Sequence, residues 1–228
     1  MTVRVPVASG PAPTDRRRLG PNQLSPAADR ALRLGANLVG AAGAAYFAFV
    51  TLDSYLRTHR PVGLAFFAEQ MLVVLVYLIR RPAHRSTDRL GDWLLAFGGT
   101  FIPVLLRPGG LHPTWGLRAG LVLQLVGLAI CVASFLALRR SFGFVAADRG
   151  LVQRGPYGVV RHPIYASYVV LQCGYLLQSL SIRNLAVVLA ATACNIGRIR
   201  AEERVLATNP EHAAYGERVR YRLVPGVW

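Results

Sequence analysis

The sequence predicts an all-α, polytopic integral membrane protein with five to six transmembrane helices, a cytoplasmic loop and a C-terminal helix. Composition is the first observation behind this. Of 228 residues, 53% are hydrophobic and 16% charged, whereas soluble domains carry about 25% charge. The second is the grouping of apolar residues into six segments: Leu34–Leu52, Val62–Ile79, Trp93–Leu106, Ala119–Leu138, Ile164–Leu180 and Leu185–Gly197. The third is the placement of arginine. All 26 basic residues are Arg. If every segment crosses, six precede the first, four lie between the second and third, five between the fourth and fifth, and six after the last, leaving 5 of the 26 on the other side. Cytoplasmic loops carry the excess of Lys and Arg, so both termini and the Arg139–Arg161 connection are expected in the cytoplasm.

Each element follows from these patterns. Residues 1–33, rich in Pro, Ala, Ser and Arg, read as a disordered basic tail. Residues 34–138 hold the N-terminal transmembrane helices, and residues 139–228 a helical hairpin with a cytoplasmic tail. A straight span takes about 20 residues. The first, second, fourth and fifth segments meet or approach that length, whereas the third and sixth are short enough to be tilted, re-entrant or prolonged outside the bilayer. No internal repeat is visible, and the first apolar run is too long for a signal-peptide core. The formal charge of +15 is interrupted by long apolar runs, which favours anionic lipid headgroups over nucleic acid as the partner. Cys131, Cys173 and Cys194 sit within apolar runs and read as small buried hydrophobes, with neither disulfide nor metal-ligand spacing. Glu69 is the one carboxylate well inside an apolar segment. It is either a functional group or a hydrogen-bonded structural one. Gln124, Gln172 and Gln178 fit interhelical hydrogen bonding.

Two stretches carry chemistry. The first, from Arg149 to Tyr165, reads RGLVQRGPYGVVRHPIY between two apolar runs. Unpaired backbone in hydrocarbon costs several kcal/mol per group, so this loop belongs at the membrane surface or in a protein-lined cavity. Gly155-Pro156 marks a turn, and Pro163 keeps His162 non-helical while opening the next helix. Tyr157, His162, Tyr165, Arg154 and Arg161 are thereby gathered as for a small polar molecule with a planar part. A basic juxtamembrane loop would explain the arginines alone. The second stretch, NIGRIRAEERVL, follows the sixth segment. Continued as helix, it puts Arg198 and Glu202 on one face, with Asn195 extending that face toward the bilayer. An exposed salt bridge is the plain alternative. Tyr215, Tyr221 and Pro225-Gly226 then read as a cap over the loop.

The pairing of GPYxxxRHPxY (Gly155 to Tyr165) with RxxxEExxL (Arg198 to Leu206) resembles the isoprenylcysteine carboxyl methyltransferases, integral-membrane enzymes that use S-adenosyl-L-methionine. The resemblance covers about the last ninety residues. It implies cofactor contacts from Arg149, Gly150, Leu151, Val152, Tyr157, His162, Pro163, Ile164, Tyr165 and Glu202, with Arg198 as the catalytic residue facing the methyl acceptor. Ser167 stands where the family usually has a small residue, often glycine, which bears on helix packing there. The implied function is methyl transfer to a carboxylate or hydroxyl of a lipophilic or prenylated acceptor at the cytoplasmic face. No metal is expected. The arginine-only, Ala/Gly-rich composition suits a GC-rich genome and a bacterial inner membrane. A lipid reductase sharing RHPxY, or a non-catalytic scaffold, are the alternatives; labelled-cofactor titration separates the first, and paired broken helices in two related halves would mark a transporter.

Overall fold

The computed structural model describes residues 26–59, 61–79, 85–86, 89–107, 110–111, 113–138, 141, 147–148, 151–207 and 210–228. Among them the helices are α1 (Pro26–Thr58), α2 (Pro61–Ile79), α3 (Leu90–Phe101), α4 (Thr114–Leu138), α5 (Pro163–Gln178), α6 (Ile182–Leu206) and α7 (Pro210–Arg218). Two short strands, β1 (Arg85–Ser86) and β2 (Ala147–Asp148), pair antiparallel with Arg85 opposite Asp148. The fold is all-α, as the composition requires.

Helix α1 starts inside the stretch read as a disordered tail. Residues 26–33 are helical: Pro26 is preorganised for a first turn, and Ala27, Ala28 and Ala31 are the best helix formers. Residues 1–25 lie outside the described residues. Among the described residues, three helices are long and apolar enough to cross a membrane: Asn37–Arg57 within α1, α4 and α6. Phe66–Ile79 and Leu90–Leu105 are shorter apolar helices. At Pro103, α3 tightens into a 3-10 turn over Ile102–Leu105. The short sixth segment is prolonged by helix: α6 has 25 residues and runs past Gly197 to Leu206, a length of about 37 Å. The outward faces of α4 and α6 are apolar, with Leu121, Val122, Leu125, Leu185 and Leu189 exposed, as a lipid-facing surface should be. Cys173 is on that exposed surface too, unlike the buried Cys131.

Small residues let α4 and α5 cross closely. A Cβ on Gly120 would stand 2.5 Å from the Gly174 carbonyl oxygen, and one on Gly174 would stand 2.6 Å from that of Gly120. This is the close backbone approach that small residues permit between membrane helices. Gln178 Nε2 donates to Gln124 Oε1 at 2.8 Å across the same pair. Gln172 is buried, but its Oε1 has no hydrogen-bond partner among the described residues. Ser167 is accommodated here: it is fully buried, its hydroxyl donates to the Ile164 carbonyl at 2.7 Å, and its own carbonyl faces Gly127. The core beneath the loop is Cys131, Phe135 and Ile164, with Leu72, Val73, Leu138 and Tyr168 packed against it.

Candidate active site

The loop takes its shape from glycine and proline. Gly155 has φ +61°, a conformation that costs a side-chain-bearing residue about 1 kcal/mol or more, and Pro156 then leads the 3-10 turn Gly155–Gly158. Pro163 is the first residue of α5, and His162 before it is non-helical at φ −128°, ψ 61°. Between these points Tyr157 and Val160 turn inward and are buried.

Helix α7 and residues 219–228 close over this loop. The amides of Arg161 and His162 donate to the carbonyls of Tyr221 and Arg222, each at 2.9 Å. The Tyr215 hydroxyl donates to the Tyr157 carbonyl at 2.6 Å, and burial pushes that phenol up to about 12 despite the opposing field of Arg161. Arg218 donates to Gln153 Oε1 at 2.6 Å. Gly226 at φ +83° turns the chain so that the Trp228 carbonyl accepts from the amides of Arg222, Leu223 and Val224. The cap expected from Tyr215 and the Pro-Gly turn is therefore present.

Under the cap, α6 divides its polar groups between two faces. Residues four apart share a face, and Arg198 and Glu202 both meet Tyr165. The Tyr165 hydroxyl donates to Glu202 Oε1, while the Arg198 guanidinium carbon lies 5.2 Å from the Tyr165 ring centroid. Arg198 is buried and donates to Thr100 Oγ1 at 3.3 Å. Glu203, about 100° further round the helix, serves the cap instead. It accepts from Arg222 Nε at 2.7 Å and pairs with Arg161 Nη1 at 3.1 Å. His162 stands between the two carboxylates, with Nδ1 3.5 Å from Glu202 and Nε2 3.4 Å from Glu203. Burial alone would lower the pKa of His162, but the hydrogen bonds and charges of Glu202 and Glu203 outweigh it and raise the value above the usual imidazole range.

Helix α3 supplies the far wall. A Cβ on Gly98 would stand 2.8 Å from Cys194 Sγ, and one on Gly99 would collide with Asn195 Oδ1 and come within 3.3 Å of Arg198 Cδ. Gly197 of α6 similarly receives Leu95. Two glycines on α3 and one on α6 thus let the helices touch at the level of Arg198. Asn195 Oδ1 is buried there with no hydrogen-bond partner among the described residues. Two residues after Glu202, on another face of α6, Arg204 anchors the start of α3 through Asp92 at 2.7 Å.

Of the residues singled out in the sequence, His162, Tyr165, Arg198 and Glu202 form one cluster. Tyr157 lies under the cap beside it, and Leu151 and Val152 are half-buried in the loop's first strand of chain. Pro163 and Ile164 are buried, Ile164 in the apolar core. Arg149 and Gly150 lie outside the described residues. Sequence reasoning missed Thr100, Gly99, Arg222 and the bridging part of Glu203. Gly98-Gly99-Thr100 within an apolar run was the available signal for the first two, and nothing local marks Arg222. Among the described residues, no group of three or more His, Cys, Asp or Glu is placed to hold a metal ion.

No curated protein matches the chain. Residues 115–211 match the family model described as phospholipid methyltransferase, a span that runs from the start of α4 through the loop, Arg198 and Glu202 into α7. Over that span the chain is similar to this family of integral-membrane methyltransferases, which also includes the isoprenylcysteine carboxyl methyltransferases.

Proposed function

We propose that the protein transfers a methyl group from S-adenosyl-L-methionine to the polar head of a lipophilic acceptor, at the cytoplasmic face of a bacterial inner membrane. The observation that carries this reading is the division of labour on α6. Glu203 is neutralised by two arginines of the loop and cap. Glu202 and Arg198 meet instead at Tyr165, deep to the cap. The donor set fits the cofactor, which presents cationic groups, a carboxylate, hydroxyls and a planar ring. A carboxylate (Glu202) and the rings of Tyr157, Tyr165 and His162 complement its cationic, hydroxyl and planar parts. The cytoplasmic face rests on the arginine asymmetry of the sequence.

S-adenosyl-L-methionine, when bound, supplies an electrophilic methyl group on sulfur. Glu202 holds the cationic or hydroxyl part of the ligand by charge-assisted hydrogen bonding, worth about 1.5–3 kcal/mol, and Tyr165 and His162 fix the carboxylate's orientation. Leu151, Val152, Pro163 and Ile164 offer backbone groups, and Arg149 and Gly150 extend the same loop. Arg198 orients the acceptor head with its planar fork. Alignment is the main source of acceleration for such a displacement, and the cap restricts water. An amphiphile suits this arrangement, its head entering beside α6 and its tail remaining between helices.

Isothermal titration of the detergent-purified protein with S-adenosyl-L-methionine, followed by radiolabelled methyl transfer to a panel of lipids, tests the reading. Glu202→Gln is expected to weaken cofactor binding at least tenfold, from the loss of about 1.5–3 kcal/mol. Saturable binding of a nicotinamide cofactor in place of S-adenosyl-L-methionine would overturn it.

A further inference from the structure

Glu69 is a buried carboxylate that the reading above leaves unused. It sits on α2 with 5% exposure. Gln70 Nε2 donates to its Oε2 at 2.6 Å, and the Cys131 thiol donates to its Oε1 at 3.6 Å. Among the described residues, no arginine or histidine pairs with it. A carboxylate inside a membrane helix is costly and marks function by default, and a pair of neutral donors compensates it only in part.

Its place in the bundle is specific. Cys131 belongs to the core on which Tyr168 packs. The Tyr168 ring is 6.2 Å from that of Tyr165, which carries Arg198 at 5.2 Å. A polar seam thus runs from the cluster under the cap to Glu69, through otherwise apolar packing. An acceptor whose tail lies between α2, α4 and α5 would have its head in this seam.

The other carboxylates and the histidine are committed. Glu203 is held by Arg161 and Arg222, Glu202 by Tyr165 and His162, and His162 by both glutamates. A carboxylate acceptor needs no base, since it is already an anion. A hydroxyl does. We infer that Glu69 is the proton acceptor for a lipid hydroxyl or phenol, and that the substrate class therefore carries a proton on the oxygen that is methylated. The inference rests on the methyltransferase reading. In the step, the O–CH3 bond forms as the S–CH3 bond breaks, the electron pair of that bond passes to sulfur, and the hydroxyl proton passes to a Glu69 oxygen. Solvent recovers that proton after turnover.

The test uses the detergent-purified full chain, with cofactor affinity measured first by titration. Two probes are compared: a long-chain alkylphenol, neutral at the assay pH, and its nitro-substituted analogue, already anionic there. Glu69→Gln is expected to lower transfer to the neutral phenol by about 10²-fold or more, the scale of general-base catalysis. Transfer to the anionic phenol and cofactor affinity should stay within about threefold of wild type, well under that scale. Glu69→Asp, which keeps the carboxylate, should recover part of the loss. Equal loss on both phenols would make Glu69 structural and overturn the inference. So would no loss on either, or a wild-type protein that binds cofactor but methylates neither phenol. Failure of the wild type to bind S-adenosyl-L-methionine at all would instead defeat the methyltransferase reading itself.

Discussion

Replacing Glu203 with Gln should loosen the cap while leaving α6 intact. The carboxylate joins α6 to two other parts of the chain: Arg161 and His162 of the loop and Arg222 of the C-terminal segment. Fully buried charge-assisted bonds are worth about 1.5–3 kcal/mol each, and exposed ion pairs about 0.2–1 kcal/mol. The Arg222 side chain is 34% exposed and Glu203 22%, so an intermediate value applies. The glutamine oxygen still accepts one bond. The net loss is then about 1–3 kcal/mol, which raises the open population of the cap roughly 5- to 150-fold. Hydrogen exchange can read this directly, because the Arg161 and His162 amides are covered only when they donate to Tyr221 and Arg222. Exchange at these two amides should accelerate by that factor in Glu203→Gln, with α4 unchanged. Unaltered exchange there would show that the cap is held by other contacts and that the bridging role given to Glu203 is wrong.

The remaining expectations concern the same cluster. Tyr215→Phe strands the buried Tyr157 carbonyl and should cost about 1–3 kcal/mol, seen as a lower melting temperature and faster loop proteolysis. The raised pKa of His162 means that its contribution is complete below about pH 6.5 and is lost as pH rises through the folded-state value. Thermal stability should therefore fall across that window, and His162→Gln should flatten the profile. Gly99→Ala should displace Asn195 and crowd Arg198, costing about 1–3 kcal/mol as overpacking does and lowering methyl transfer more than cofactor affinity. Arg198→Lys keeps charge but loses the planar fork, so methyl transfer should drop by about 10²-fold with cofactor affinity changed only a few-fold. If titration shows affinity collapsing with turnover, Arg198 belongs to the cofactor's pocket.

Much of this was legible from local rules. Pro163 before a long apolar run fixes where α5 starts, and Gly155-Pro156 fixes the turn. The i, i+4 spacing of Arg198 and Glu202 put them on one face before any contact was known. What could not be read was pairing between distant segments. Helical phase separates Glu202 from Glu203, but which groups each one meets depends on the packing of Tyr165 and on the docking of Arg222 and Arg161. Thr100 and Gly99 reach the site because α3 packs on α6, a contact that hydropathy does not encode. The start of α1 was misplaced for a related reason: low hydrophobicity argued for a tail, whereas Pro26 and the alanines after it support a helix without needing burial.

The division between loop and helix has a physical consequence for catalysis. The groups assigned to the cofactor come largely from a loop that is held shut by a cap, through backbone bonds and the Glu203 bridge. Arg198 comes instead from the middle of a 25-residue helix, locked against α3 by Gly99, Thr100 and Asn195. A ligand that must enter and leave needs a cover whose opening costs only a few kcal/mol. A reacting group that must be aligned needs a support that does not move, since small misplacements cost rate steeply. Tyr165 joins the two parts, since it sits in the first turn of α5 directly after the loop and touches both Glu202 and Arg198. Cap opening can therefore expose the loop while Arg198 stays fixed, and exchange should be fast at the Arg161 amide and slow along the Asn195–Arg198 turn. Exchange at equal rates in the two places would mean that the site opens as one unit, by separation of α3 from α6.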